Sequence, residues 1–263
     1  MQTWNDLQEW WRCPRAWAYR QRYEAPYRKQ AMLRGSYIHR GAAAHYLGED
    51  SEEAVRAEHR TYTEGLRSIR STPLERQLAE AEKALDEALP LLRRYIARQD
   101  PKEQAILVET TLRHGSIGGT PDRLSILNEA QLLVDIKTGT SPNVEALDHE
   151  GQLDYYAWLV RAVHGLEVPL VAFDIVSPEW LYRHVRPPRF ERGAYIASTL
   201  QTVALLEVQP EAALAAPYYT WECGKCPFLR PCRVRDAGGD DDEVLMENFM
   251  PRTGREGEGS EAA

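Results

Sequence analysis

Residues 119–139 read GTPDRLSILNEAQLLVDIKTG, and this stretch decides the fold. Two β-prone runs flank a polar Asn-Glu dipeptide, a pattern typical of two antiparallel strands joined by a tight turn. Side chains two apart on a strand share a face, so Asp135 and Lys137 project together. The turn places Asp122 opposite them on the neighbouring strand. The stretch therefore predicts two carboxylates and one ammonium group in close proximity.

Such a cluster suits a hard divalent cation, because Mg²⁺ and Mn²⁺ prefer oxygen ligands and bind through one or two carboxylates plus substrate phosphate. The cation would lower the pKa of a water molecule and polarise a phosphoryl oxygen. Lys137 would orient or deprotonate that water and offset charge in the transition state. The same spacing is also typical of a solvated strand face. Asp135, however, stands within an apolar run, where an unpaired charge is costly.

Three further residues are candidates for the same site. Gln152 and Tyr156 lie four residues apart in a helix predicted over 145–164, so they share one face. His39 could offer a neutral imidazole to a metal, although a single helical histidine is more often a core or surface residue.

The remaining pattern predicts a mixed α/β fold, in which a central mixed sheet is flanked by helices. The Ala/Leu-rich segment after residue 50 is expected to be helical, with breaks at Pro73 and Pro90. The other expected helices cover 3–24, 33–46, 145–164 and 190–207, and the expected strands cover 105–113, 119–127, 131–137, 168–176 and 180–185.

Charge is distributed unevenly along the 263 residues, whose formal net charge is −8. Residues 236–263 carry nine acids against two arginines and are expected to form a disordered tail. Residues 11–40 carry eight cations against one acid. This basic stretch suits a DNA partner, whereas its other reading is a solvated helix face. With no signal peptide or membrane-spanning run, we expect a soluble, cytoplasmic protein.

The motifs at 119–122, 134–139 and 152–157, in this order and spacing, resemble the signature of the PD-(D/E)XK nuclease superfamily, in its RecB-like and Cas4-like branch. The resemblance implies a restriction-endonuclease-like core within a nuclease domain at 1–235, with a helical insertion at about 48–100. It implies a metal-dependent DNA exonuclease that acts on single-stranded ends, in DNA repair and recombination or in phage or CRISPR DNA processing.

The resemblance also assigns roles to single residues. It implies that His39, Asp122 and Asp135 bind Mg²⁺ or Mn²⁺, together with the backbone carbonyl of Ile136. Lys137 would be the catalytic lysine. Glu109 matches an acidic position often seen in these proteins, without a firm role. Gln152 and Tyr156 would support the active site.

Four cysteines stand at Cys13, Cys223, Cys226 and Cys232. In a reducing compartment such a set indicates a metal site rather than disulfides, and four thiolates suit zinc or an iron–sulfur cluster. The resemblance favours a [4Fe–4S] cluster, since its branch carries one cysteine before the nuclease core and three after it. The cluster would join the N-terminal helix to the C-terminal segment and close the basic stretch around the DNA.

Three other interpretations stay open from the residues alone. The chain could be a Cas4-type nuclease that works with a CRISPR integration partner, or one that works with a helicase or recombination protein. It could also be a non-catalytic DNA-binding module held together by its iron–sulfur cluster.

Overall fold

The computed structural model describes residues 1–24, 28–67, 74–139, 144–206, 214 and 221–251. No helix in these ranges has the length and apolar character needed to cross a membrane. The helices are α1 (Trp4–Arg12), α2 (Pro14–Arg22), α3 (Gln30–Tyr46), α4 (Ser51–Arg67), α5 (Leu74–Ala97), α6 (Val144–His149), α7 (Gln152–His164), α8 (Phe190–Leu206), α9 (Leu229–Asp236) and α10 (Asp241–Asn248). The strands are β1 (Tyr23–Glu24), β2 (Gln104–Val108), β3 (Leu112–His114), β4 (Ile117–Gly119), β5 (Arg123–Leu127), β6 (Ala130–Lys137), β7 (Leu170–Val176), β8 (Leu181–Arg186) and β9 (Met250–Pro251).

Five strands form the central sheet in the order β2-β5-β6-β7-β8. The first three are antiparallel neighbours, and the β5–β6 pair is the one that the sequence predicts. β6 and β7 are parallel, so the chain must cross over between them, and α6 and α7 lie in that crossover. β8 then returns antiparallel to β7. The predicted mixed sheet flanked by helices is confirmed.

Alternate residues of β6 belong to two different cores. Leu133 packs in the larger core, which includes residues of α7 and α8. Ile136 packs in the smaller core with residues of α3, α4 and α5. Because Asp135 and Lys137 alternate in step with Leu133, they lie on the α7 side of the sheet.

Proline separates two helices at one position and lies inside a helix at another. The helix expected over 3–24 is divided into α1 and α2, because Cys13 takes extended backbone before Pro14. The break expected at Pro90 is wrong, since this residue lies inside α5. Pro90 and Asp86 are both exposed, so water can bind the Asp86 carbonyl that lacks its helical N–H donor. The predicted break at Pro73 lies outside the described residues.

Two other predicted elements are subdivided. The helix expected over 145–164 is α6 and α7, separated at Gly151, where an added Cβ would lie 2.9 Å from Ile196 Cδ1. The strand expected over 105–113 ends at Val108, and β3 then pairs with β4 in a separate hairpin.

Residues 236–251 are folded, which corrects the expectation of a disordered tail from residue 236. Asp241, at the start of α10, is buried and accepts a hydrogen bond from Tyr19 Oη at 2.7 Å. Leu245 is fully buried in the larger core. β9 pairs antiparallel with β1. Packed apolar side chains and specific polar partners thus offset an acidic composition. Residues 252–263 lie outside the described residues.

Candidate active site

The β5–β6 hairpin positions Asp122. The residue lies directly before β5 rather than inside a strand, and the pairing of Arg123 with Val134 brings it next to Asp135. Its Oδ2 accepts a hydrogen bond from the backbone N–H of Ile136 at 2.5 Å. This bond fixes the Asp122 carboxylate against the end of β6.

Helix α3 brings His39 to the same place. The His39 Nδ1 atom lies 3.0 Å from Asp122 Oδ1. Burial opposes a charged imidazole, but the nearby carboxylates, with Asp122 first, together raise the pKa of His39 to about 9. Since a metal-binding imidazole must be neutral, a bound cation would take the place of this proton.

Glu109 completes a compact group with these two residues. One ligand atom each from His39, Glu109 and Asp122 lie within 4.8 Å of one another, and no other group of three such residues is this close in the described part of the chain. The Glu109 backbone has a φ of 44°, in the left-handed region, and its N–H donates to the Asp122 carbonyl at 3.0 Å. Burial and then the Asp122 charge raise the pKa of Glu109 to about 7.

A sequence signal for Glu109 existed. Glu109 is the single acid in the run AILVETTLR at 105–113, as Asp135 is in its own strand. An acid that follows a half-buried strand needs a compensating partner. Here the partner is the histidine of α3, which no local pattern indicates.

Lys137 connects the second carboxylate to helix α7. Its Nζ lies 2.8 Å from Asp135 Oδ2 and donates to Gln152 Oε1 at 2.5 Å. Gln152 Nε2 in turn donates to Tyr156 Oη at 3.4 Å. Burial raises the pKa of Asp135. Burial opposes the Lys137 charge, but the Asp135, Glu150 and Asp122 carboxylates together raise the pKa of Lys137. The chain of bonds holds the ammonium group at the end of β6.

The two groups have different chemistry. His39, Glu109 and Asp122 offer the oxygen and imidazole ligands that Mg²⁺ or Mn²⁺ accepts, so the residues fit a divalent cation. Asp135 was predicted as a third ligand, and it lies beside this group while paired with Lys137. Ile136 reaches the site through its N–H, and a metal-binding role for its carbonyl stays a prediction.

All four cysteines line one small pocket between α2 and the C-terminal segment. Cys13 Sγ accepts a hydrogen bond from the Ala16 N–H at 3.4 Å, and Cys232 Sγ accepts one from the buried Arg15 Nη1 at 3.0 Å. Residues separated by more than 200 positions are therefore neighbours, as a shared metal group would require.

The family model of the PD-(D/E)XK nuclease superfamily matches residues 4–233. This chain belongs to that superfamily. Membership implies a metal-dependent nuclease that uses divalent cations such as Mg²⁺ or Mn²⁺, and a nuclease of this superfamily would act on DNA.

A search of solved structures adds a weak likeness. The structure titled "Crystal structure of SSO0001" is 16% identical, with a TM-score of 0.35, over 75% of this chain and 82% of that chain. No curated protein matches the chain. The superfamily assignment therefore rests on the family model.

Proposed function

We propose that this member of the PD-(D/E)XK superfamily is a DNA exonuclease that hydrolyses phosphodiester bonds from single-stranded ends. The observation that carries the proposal is the compact group of His39, Glu109 and Asp122 beside the ion pair of Asp135 and Lys137. A cation-binding group and a half-buried ammonium group, side by side, can act on the same phosphate.

Each residue has a distinct role in the proposed mechanism. A divalent cation held by His39, Glu109 and Asp122 would supply Lewis acidity toward phosphate and water. Lys137 would orient the attacking water and stabilise negative charge on the phosphoryl oxygens. Asp135 and Gln152 hold the lysine in position.

Tyr156 contributes by orienting the glutamine. Its hydroxyl accepts a hydrogen bond from Gln152 Nε2, which leaves Gln152 Oε1 to accept one from Lys137. An ammonium group can only donate hydrogen bonds, so this amide orientation is required. Tyr156 is therefore a positioning residue in the proposal.

The proposal is tested with two active-site variants and two matched controls. Asp135→Asn and Lys137→Ala should each abolish Mn²⁺-dependent degradation of linear single-stranded DNA. Asp86→Asn and Lys83→Ala change exposed residues of α5 and should leave degradation unchanged. Full activity of both active-site variants would overturn the proposed mechanism. Wild-type protein that binds DNA without degrading it would favour a non-catalytic DNA-binding module.

A circular substrate tests the exonuclease proposal separately. An enzyme that needs an end should degrade linear single-stranded DNA and leave a circle of the same sequence intact. Cleavage of both at similar rates would identify an endonuclease. Partner proteins such as a helicase, a recombination protein or a CRISPR integrase are not needed for either measurement.

We propose that the four cysteines hold a [4Fe–4S] cluster, with zinc as the alternative. All four line one small pocket, and four thiolates suit either group. The resemblance to the RecB-like and Cas4-like branch favours the cluster, because that branch carries one cysteine before the nuclease core and three after it.

Iron content tests this part of the proposal. Protein purified without oxygen should contain about four iron atoms per chain and absorb visible light, and Cys226→Ser should lose both. Stoichiometric zinc without iron would contradict the cluster while leaving the nuclease proposal intact.

A further inference from the structure

One face of α3 borders an open cleft of about 630 Å³ next to the cation-binding group. Two rows of residues spaced four apart form this face. Met32, Ser36 and Arg40 make the outer row, and Gly35, His39 and Ala43 make the inner row. Because His39 also contacts Asp122, the cleft is continuous with the proposed active site.

Arg40 carries the one permanent positive charge among the described residues that line this cleft. The other charged groups there are the Glu58, Glu109 and Asp122 carboxylates and the His39 imidazole. A bound cation would compensate Glu109 and Asp122, but not Glu58 on α4. An anionic substrate that enters the cleft therefore meets attraction on the α3 side and repulsion on the α4 side.

The Arg40 guanidinium can exchange its present partner for a phosphate. It pairs with Glu49 at 3.6 Å, and both side chains are about half exposed. Exposed ion pairs of this kind contribute little to stability. A guanidinium group also matches the geometry of a phosphate, with which it forms two parallel hydrogen bonds.

The other residues of this α3 face allow a substrate strand to come close to the helix. Gly35 and Ser36 present little side chain, and an added Cβ at Gly35 would lie 2.7 Å from Thr138 Oγ1 in the segment after Lys137. Met32 is 58% exposed and lies seven residues, or about 10 Å, from His39 along the helix. An exposed methionine adapts its shape to apolar surfaces of differing form, such as the faces of nucleic-acid bases.

We propose that this face of α3 is the track along which the DNA strand approaches the active site, with Arg40 bound to a backbone phosphate and Met32 against a base. Glu58 on the opposite wall keeps the backbone on the α3 side. The part of the helical region where α3 faces α4 therefore serves substrate binding. The inference rests on the proposed nuclease function and adds to it the residues that bind the substrate.

The test measures binding of a labelled single-stranded oligonucleotide by fluorescence anisotropy, in EDTA, over a range of salt concentrations. Arg40→Gln should weaken binding about tenfold and lower the salt-dependence slope by about 0.7, the loss of one phosphate contact. Arg40→Lys keeps the charge and should retain the slope. Arg60→Gln, on α4 outside the cleft, is the matched control and should bind as wild type does.

Glu58 and Met32 provide independent readouts. Glu58→Gln should tighten binding a few-fold, whereas Glu53→Gln, also on α4, should not. Met32→Ala should weaken binding by a similar factor at every salt concentration, since an apolar contact carries no charge.

The outcomes separate this inference from the proposed function. An unchanged dissociation constant and salt slope in Arg40→Gln would overturn the α3 track, even if the wild-type protein degrades DNA with Mn²⁺. The nuclease proposal would instead be refuted by wild-type protein that degrades no DNA. A weakened Arg40→Gln that melts at the wild-type temperature supports the track in either case.

Discussion

Replacing Arg123 by methionine should strongly destabilise the protein. The Arg123 side chain is 2% exposed and donates to Glu103 Oε1 from Nη2 at 2.6 Å and from Nε at 3.1 Å. It also donates to Ser125 Oγ at 2.8 Å and Tyr95 Oη at 3.0 Å. Methionine fills much of the same volume but supplies no charge and no donor.

The size of the stability loss depends on the Glu103 charge, which the substitution leaves buried. Removing one partner of a buried ion pair costs about 3–5 kcal/mol, because the other charge stays buried. Glu103 would keep one bond, from Arg183 Nη1 at 2.8 Å. The lower end, about 3 kcal/mol, therefore applies, and it corresponds to a decrease in melting temperature of roughly 6–12 °C for a chain of this size.

Urea denaturation and thermal melting of Arg123→Met measure this loss. Adding Glu103→Gln removes the orphaned charge and should recover at least about 1 kcal/mol. Arg56→Met is the matched control, since Arg56 is 47% exposed and makes an ion pair within α4 at 3.8 Å. A loss below about 1 kcal/mol in Arg123→Met, or no recovery in the double variant, would refute the reasoning.

Three further predictions follow from packing and from the metal requirement. Gly41→Ala should lower stability by about 1–3 kcal/mol, because the new Cβ would overlap the Leu92 side chain. At Gly65 an added Cβ would meet no atom of the described residues within 4 Å, so Gly65→Ala should be neutral or stabilising by up to about 1 kcal/mol. Equal urea midpoints for these two variants would contradict this. Removing residues 240–263 takes Leu245 out of the core and should cost at least about 2 kcal/mol, so a truncated chain with the full-length melting temperature would be unexpected. EDTA should stop DNA degradation and Mn²⁺ should restore it, and degradation that persists in EDTA would refute the metal requirement.

The part of the site that could be predicted depends on local periodicity. Asp135 and Lys137 share a face because strand side chains alternate, and Gln152 and Tyr156 share a face because helix residues four apart do. The two pairs come into contact if α7 packs on the face of the sheet that carries Lys137. The bond from Lys137 to Gln152 is the result.

The part that could not be predicted depends on long-range packing. Glu109 reaches His39 because β2 pairs with β5 and its backbone turns into the left-handed region at the strand end. The parallel neighbour of β6 is likewise set by a crossover of over thirty residues, from Lys137 to Leu170. Neither contact produces a periodic pattern in the sequence, because the partners are far apart along the chain.

The sequence also does not indicate which charged side chains form ion pairs within the fold, and these pairs affect where DNA can bind. The basic stretch from residue 11 was expected to close around DNA, but several of its arginines are committed elsewhere. Arg15 is buried and pairs with Asp236 at 2.7 Å, and the buried Arg34 pairs with Glu87 at 3.0 Å. In the described part of the acidic segment, Asp236 and Asp241 contact α2 and therefore belong to the fold. An overall charge of −8 is then compatible with a DNA substrate, because binding needs only a local site of the right sign. A cation held by the acidic cluster, next to Arg40 on α3, supplies such a site.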